Sequence, residues 1–270
     1  MIQRINAVSL TDNGKNWLAN SDHPRILHIF DDACNLINER SEILSIVAPQ
    51  IGNGPFNLVL EKAVLFPKYL SLDSQIRIFL TQLKLGDLTI QTGDANLWSP
   101  LPDWETLHAK RVAILSKLAS LPVNSFQPSL PTELLSTFSI AISVTDLAIS
   151  LSAAKQLAGL GQGLTPAGDD FLLGAILAAW IIHSPEVAKN LAEEIANVAA
   201  PLTTSLSAAW LRSVGRGEAG IRWHEFFRSL ISGDLTSIQK ATDKILAVGE
   251  TSGADALAGF VSVFAAQRNR

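Results

Sequence analysis

Gly159-Leu160-Gly161-Gln162-Gly163-Leu164-Thr165-Pro166-Ala167-Gly168-Asp169-Asp170 runs directly into the apolar stretch 171–182. Those twelve uncharged residues would span roughly 18 Å as a helix, well short of the ~30 Å that a bilayer needs. The stretch therefore predicts a buried helix entered through a glycine-rich loop. A helix that is apolar all round must be covered by others, and the flanking sequence supplies them. Residues 145–158 are rich in Ala and Leu and stop at Gly159, as helices often do at a glycine. Helical spacing recurs over 167–182, 185–199, 203–214, 223–231, 236–248 and 253–266. Pro185 after Ser184 suits a first helical turn, Thr165-Pro166 suits a cap and first residue, and Ser252 with Asp255 has capping-box spacing.

Upstream the pattern changes to short apolar runs between turn signals. Residues 43–48 end at Pro49, and Gly52-Asn53-Gly54-Pro55 marks a turn before the run 57–60. Residues 77–85 and 88–92 read as two strands joined at Gly86-Asp87. Residues 14–19 suggest a short helix, and 104–118 a longer one within a stretch dotted with Pro100, Pro102, Pro122, Pro128 and Pro131. The expected fold class is α+β with segregated halves: a β-rich domain at 1–125 and a helical domain at 126–270.

The chain has 270 residues, 47% apolar and 17% charged, which predicts a well-packed globular protein. A net charge of -4 provides no basic field, so no nucleic-acid partner is expected. No membrane span is expected either. The single cysteine, Cys34, excludes an internal disulfide and a cysteine-based zinc site. The first residues show no secretory pattern, and the expected location is the cytoplasm.

Four glycines at one helix entrance, Gly159, Gly161, Gly163 and Gly168, let backbone approach a ligand and aim several N–H groups at one anion beside the positive helix end. The loop is not a Walker A motif, because Asp169 stands where lysine would. A second junction repeats the first. Gly249, Thr251 and Asp255 align without a gap on Gly163, Thr165 and Asp169, which suggests two helix N-termini facing one small anionic ligand. Asp169, Asp170 and Asp255 are the candidate catalytic carboxylates. Asp169 and Asp170 diverge by about 100° on a helix, and Asp169 is the one expected to face the ligand or hold a Mg²⁺ ion. Gly161, Gly163, Gly168 and Gly253 with Thr165, Thr203, Thr204, Thr251 and Ser252 are the candidate substrate-binding donors. Arg212, four residues before Arg216, is the candidate cation, although surface arginines commonly have this spacing. The structural alternative is that the aspartates only stabilise first turns, worth roughly 0.3–1 kcal/mol each, and that the glycines allow tight helix packing. The five histidines show no metal-ligand spacing, and no G-x-S-x-G elbow or activated cysteine points to covalent catalysis.

The segment 159–172 resembles the signature of the AllH subunit family of oxamate carbamoyltransferase. Thr203-Thr204 with Leu206-Ser207, and Gly249 to Asp255 ahead of Leu257 and Gly259, resemble its other blocks; Gly54-Pro55 and Trp98-Ser99-Pro100 do so more weakly. The resemblance implies carbamoyl transfer between oxamate and oxalurate, with carbamoyl phosphate as donor or product, in the use of allantoin-derived nitrogen. It also implies partner subunits. The alternatives are a non-catalytic subunit that binds a small anion, or an enzyme of the same family with another substrate.

Overall fold

Period-two burial builds the first unit. In β1 (Gln3–Leu10), Ile5 and Ala7 are buried while Arg4, Asn6 and Val8 are exposed, as a strand with one covered face requires. The computed structural model describes residues 3–118 and 130–268, and the chain divides into two compact units, Met1–Pro100 and Leu101–Arg270. The expected boundary at 125/126 lies outside the described residues.

In the first unit β1 is followed by α1 (Asp12–Asn20), β2 (Arg25–Ile29), β3 (Ala33–Ile37), β4 (Ile43–Val47) and β5 (Asn57–Leu60). Next come β6 (Ile76–Phe79), β7 (Gln82–Leu85), β8 (Leu88–Gln91) and the short β9 (Asn96–Leu97). They form a barrel-like sheet in the order β2-β3-β4-β5-β1-β8-β7-β6, with β9 beside β1. The first half of β1 pairs in parallel with β8 and its second half pairs antiparallel with β5, with a register shift between Ala7 and Ser9. Thr11 caps α1 by accepting from the Gly14 amide. The expected single strand 77–85 is instead the hairpin β6–β7, folded at Leu80-Thr81. That turn carries no Gly, Pro, Asn or Asp, so nothing in the composition punctuates it. Cys34 is fully buried in β3, and burial pushes its thiol up to about 12, which leaves it unreactive.

The second unit holds α2 (Trp104–Ala109), α3 (Arg111–Leu118), α4 (Thr132–Ser143), α5 (Leu147–Leu157), α6 (Ala167–Ile182) and α7 (Pro185–Ala199). It continues with α8 (Ser205–Gly215), α9 (Ile221–Ser232), α10 (Leu235–Leu246) and α11 (Ser252–Arg268). The α+β class with a helical second half is as expected. The helix expected over 104–118 breaks at Lys110, and α4 was not among the expected helices. Helix α6 is the hub: every residue from Gly168 to Ile182 is buried. It lies closest to α11, along a seam made by two glycines. A Cβ on Gly174 would sit 1.7 Å from the Ala256 carbonyl oxygen, and one on Gly259 would sit 2.0 Å from that of Phe171. Backbone-to-backbone contact of this kind admits no side chain. A rigid aromatic cluster backs the seam: the Trp223 and Phe260 ring centroids are 5.4 Å apart, and those of Phe260 and Phe264 5.1 Å.

Gly174→Ala is expected to destabilise the protein by roughly 2–4 kcal/mol, because the helices must part to admit the methyl. The measurement is thermal unfolding, with a fall in midpoint of roughly 5–15 °C expected; an unchanged midpoint would contradict the seam.

Candidate functional site

The site begins where α5 ends. Gly159 takes a left-handed turn at φ 72°, which directs its amide to Asp169 Oδ1 at 2.9 Å. The chain then loops outward through Gly161, Gln162 and Gly163, all exposed, and re-enters at Pro166. Thr165-Pro166 does not act as cap and first residue. Helix α6 starts one position later, with Pro166 at the cap and no side-chain cap bond. The Thr165 hydroxyl meets the Ser252 hydroxyl instead, at 2.9 Å. Ser252 is the first residue of α11, so the expected Ser252–Asp255 capping box gives way to a hydroxyl bridge between the two junctions. The α6–α11 seam places the two helix starts side by side, and this bridge joins them.

Asp169 is 2% exposed, and both of its oxygens are engaged within the protein. Oδ1 accepts from the Gly159 amide, and Oδ2 accepts from the Thr203 hydroxyl and from Ser207 Oγ at 2.8 Å. Burial raises its pKa, and these three donors oppose the rise. Thr204 caps α8 by accepting from the Ser207 amide at 3.1 Å and donates its hydroxyl to the Leu164 carbonyl at 2.5 Å. Asp169, Thr203, Thr204 and Ser207 thus lock the loop to the end of α5 and the start of α8. Ser207 was not among the expected site residues; its position three after Thr204, on the first turn, was the available signal.

Asp170 and Asp255 differ from Asp169. They are 7% and 4% exposed, and the Oδ2 of each is buried without a hydrogen-bond partner. Burial pushes Asp170 up to about 8; Asp255 and Asp169 push the same way, while the hydroxyls of Ser252 and Thr165 oppose. Burial also raises Asp255, against the Thr251 hydroxyl. The groups acting on the three carboxyls are hydroxyls, one backbone amide and one another.

The expected amide cradle is largely occupied from within. The amides of Gly168, Asp169, Gly253 and Asp255 bond to the carbonyls of Leu160, Pro166, Val248 and Thr251 at 2.9–3.0 Å. A Cβ on Gly168 or Gly253 would lie 2.1 Å from the Leu157 or 1.9 Å from the Ile245 carbonyl oxygen, so these two glycines serve close packing. Gly161 and Gly163 remain in the exposed loop, and a Cβ on Gly163 would meet open space. Arg212 is exposed on α8, about 140° around the helix from Ser207. Arg216 pairs with Glu218 at 2.8 Å. Among the described residues no group of three or more His, Cys, Asp or Glu is placed to hold a metal ion. Both Asp169 oxygens already accept hydrogen bonds from the protein, which leaves little of its lone-pair capacity for a Mg²⁺ ion.

This whole arrangement falls within one stretch of chain. Residues 157–264 match the family model described as oxamate carbamoyltransferase subunit AllH. That segment is similar to the AllH family. It takes in both junctions, the hydroxyl bridge and all three aspartates. No solved structure matches the chain. No helix among the described residues is long and apolar enough to cross a membrane.

The carboxyls of this segment give stability a pH dependence. Asp170 has a folded-state pKa above its ordinary 3.8. Its contribution is whole below about pH 4 and is lost as the pH rises through about 8. Asp169 and Asp255 shift in the same direction. The unfolding midpoint is therefore expected to fall between pH 5 and pH 9, and Asp170→Asn should flatten that slope; an equal slope in the variant would refute the assignment.

Proposed function

We propose that this chain is a subunit of an oxamate carbamoyltransferase-type enzyme, with its small-anion site at the paired junctions of α6 and α11. The reaction would move a carbamoyl group between nitrogen and phosphate: oxalurate and phosphate to oxamate and carbamoyl phosphate, or the reverse. This places the protein in the use of allantoin-derived nitrogen. The observation that carries the reading is the Thr165–Ser252 bridge beside Asp170 and Asp255, inside the segment that matches AllH. Two helix N-termini and two incompletely satisfied carboxyls meet at one place, beneath a loop of exposed glycines. Asp170 and Asp255 take the ligand-facing role first expected of Asp169, which acts as the anchor of the loop. With no covalent nucleophile proposed, the site would act by positioning and by charge stabilisation.

The lack of a cation acting on these carboxyls favours an assembly over a self-sufficient enzyme. Arg212 faces away from Ser207, so charge to balance an anion would come from partner subunits or from Mg²⁺ brought with the substrate. The family description, a subunit, agrees with that division of labour.

Thermal unfolding with carbamoyl phosphate, phosphate, oxamate and oxalurate, each with and without Mg²⁺, tests the reading. A ligand at a hundred times its Kd adds about 2.7 kcal/mol, a rise of several degrees. The expected result is a rise with at least one of these anions that Asp170→Ala abolishes. A rise that survives in a folded Asp170→Ala protein would place the site elsewhere. Carbamoyl phosphate turnover by the chain alone, and then with partner subunits, separates a catalytic from a binding subunit.

A further inference from the structure

Among the described residues, four buried side-chain polar atoms have no hydrogen-bond partner, and two of them are Asp170 Oδ2 and Asp255 Oδ2. A buried acceptor left unmatched costs more than an ordinary hydrogen bond returns, and in a folded protein it calls for a partner. Thr165 and Ser252 pair with each other and both act on Asp170, yet both Oδ2 atoms remain open. Each aspartate lies in the first turn of its helix, where the aligned amides already offset part of a negative charge. What Asp255 lacks is therefore a hydrogen-bond donor more than a full positive charge, whereas Asp170, pushed up to about 8 by burial, holds a proton that lacks an acceptor. A carboxylate or a fully ionised phosphate group offers acceptors only, so it cannot meet the Asp255 oxygen.

We propose that Asp170 and Asp255 hold the primary amide, H₂N–C(=O)–, of the ligand, so that the junction selects carbamoyl-bearing anions over analogues with methyl in place of the amino group. The inference rests on the reading above that the junctions form the ligand site. Asp255 Oδ2 accepts an N–H. Asp170, with its pKa at about 8, keeps its proton at neutral pH and donates it to the amide oxygen. An amide satisfies both carboxyls, whereas a methyl analogue keeps the carbonyl and leaves Asp255 unmatched. Both oxygens are closed to solvent, so the ligand reaches them by parting the Thr165–Ser252 bridge. The anionic end of the same ligand then lies toward the exposed loop at Gly161 and Gly163.

Two isosteric pairs make the test, measured by titration calorimetry on the full chain at pH 7: oxamate against pyruvate, and carbamoyl phosphate against acetyl phosphate. The amide member of each pair is expected to bind about tenfold or more tightly, because a site built for an N–H penalises the analogue lacking it. Asp255→Ala should bring the two members within about twofold of each other. Equal affinities in the unmodified protein would overturn this proposal and leave the anion site standing. Binding of none of the four, by the chain alone or with Mg²⁺ and partner subunits, would overturn the site and the proposal together. Equal affinities with saturable binding of Mg²⁺ alone, lost in Asp255→Ala, would assign the two oxygens to a cation instead.

Discussion

Two helices can approach until their backbones touch only where no Cβ intervenes, and α6 and α11 do so at Gly174 and Gly259. The rest of the helical unit depends on that contact. With the seam closed, the starts of the two helices fall side by side, close enough for Thr165 and Ser252 to share a hydrogen bond. Without it, the junctions around Gly159 and Gly249 would be separate turns, each with an acidic first turn of the ordinary kind. The seam also carries Asp170 and Asp255 inward, because each sits at the start of a helix whose next turns are buried.

Burying three carboxyls in one neighbourhood works against folding, since a charge removed from water must be matched or neutralised. The protein resolves this differently for each. Asp169 receives three donors and becomes the knot that ties the loop to α5 and α8. Asp170 is neutralised by its raised pKa. Asp255 relies on Thr251 and on its place at a helix N-terminus. The arrangement is satisfied where it supports the loop and unsatisfied where the two helix starts meet. Local inconsistency of that kind is the expected mark of a functional position in an otherwise consistent fold.

Much of this was legible in the sequence, and the rest was not for definable reasons. The ends of α6 and α7 coincide with the expected 167–182 and 185–199 because Pro166 and Pro185 punctuate them and the apolar run is long. The likeness of the junctions was visible in the matched Gly, Thr and Asp positions, but one residue out of register: Asp255 stands fourth in α11, as Asp170 and not Asp169 does in α6. The β6–β7 turn went unread because Leu80-Thr81 carries no turn chemistry, and α4, just after Pro131, went unread as well. Within the site, sequence named the residues but not their partners. Thr165 before Pro166 has the form of a helix cap, and only the approach of α11 gives its hydroxyl a different destination. Gly168 and Gly253 resemble ligand-approach glycines, yet what approaches them is the carbonyl of a neighbouring turn.

Choosing between Asp169 and Asp170 illustrates the same limit. Sequence places them about 100° apart on a helix and cannot say which direction faces protein. In the structure Asp169 points to Thr203 and Ser207 on the α8 side, while Asp170 points toward α11 and its Asp255. One residue of the pair therefore had to be structural, and the neighbour bearing hydroxyls decides which. Helix α8 begins with a run of hydroxyl residues, Thr203-Thr204-Ser205, and Ser207 follows. Thr203 and Ser207 satisfy the carboxylate they meet. Helix α11 begins with Ser252 and an acid of its own, so Asp170 meets a second carboxyl and keeps one oxygen unmatched. The two adjacent aspartates thus divide into an anchor and an open position because α6 lies between a helix start rich in donors and one that carries a carboxylate.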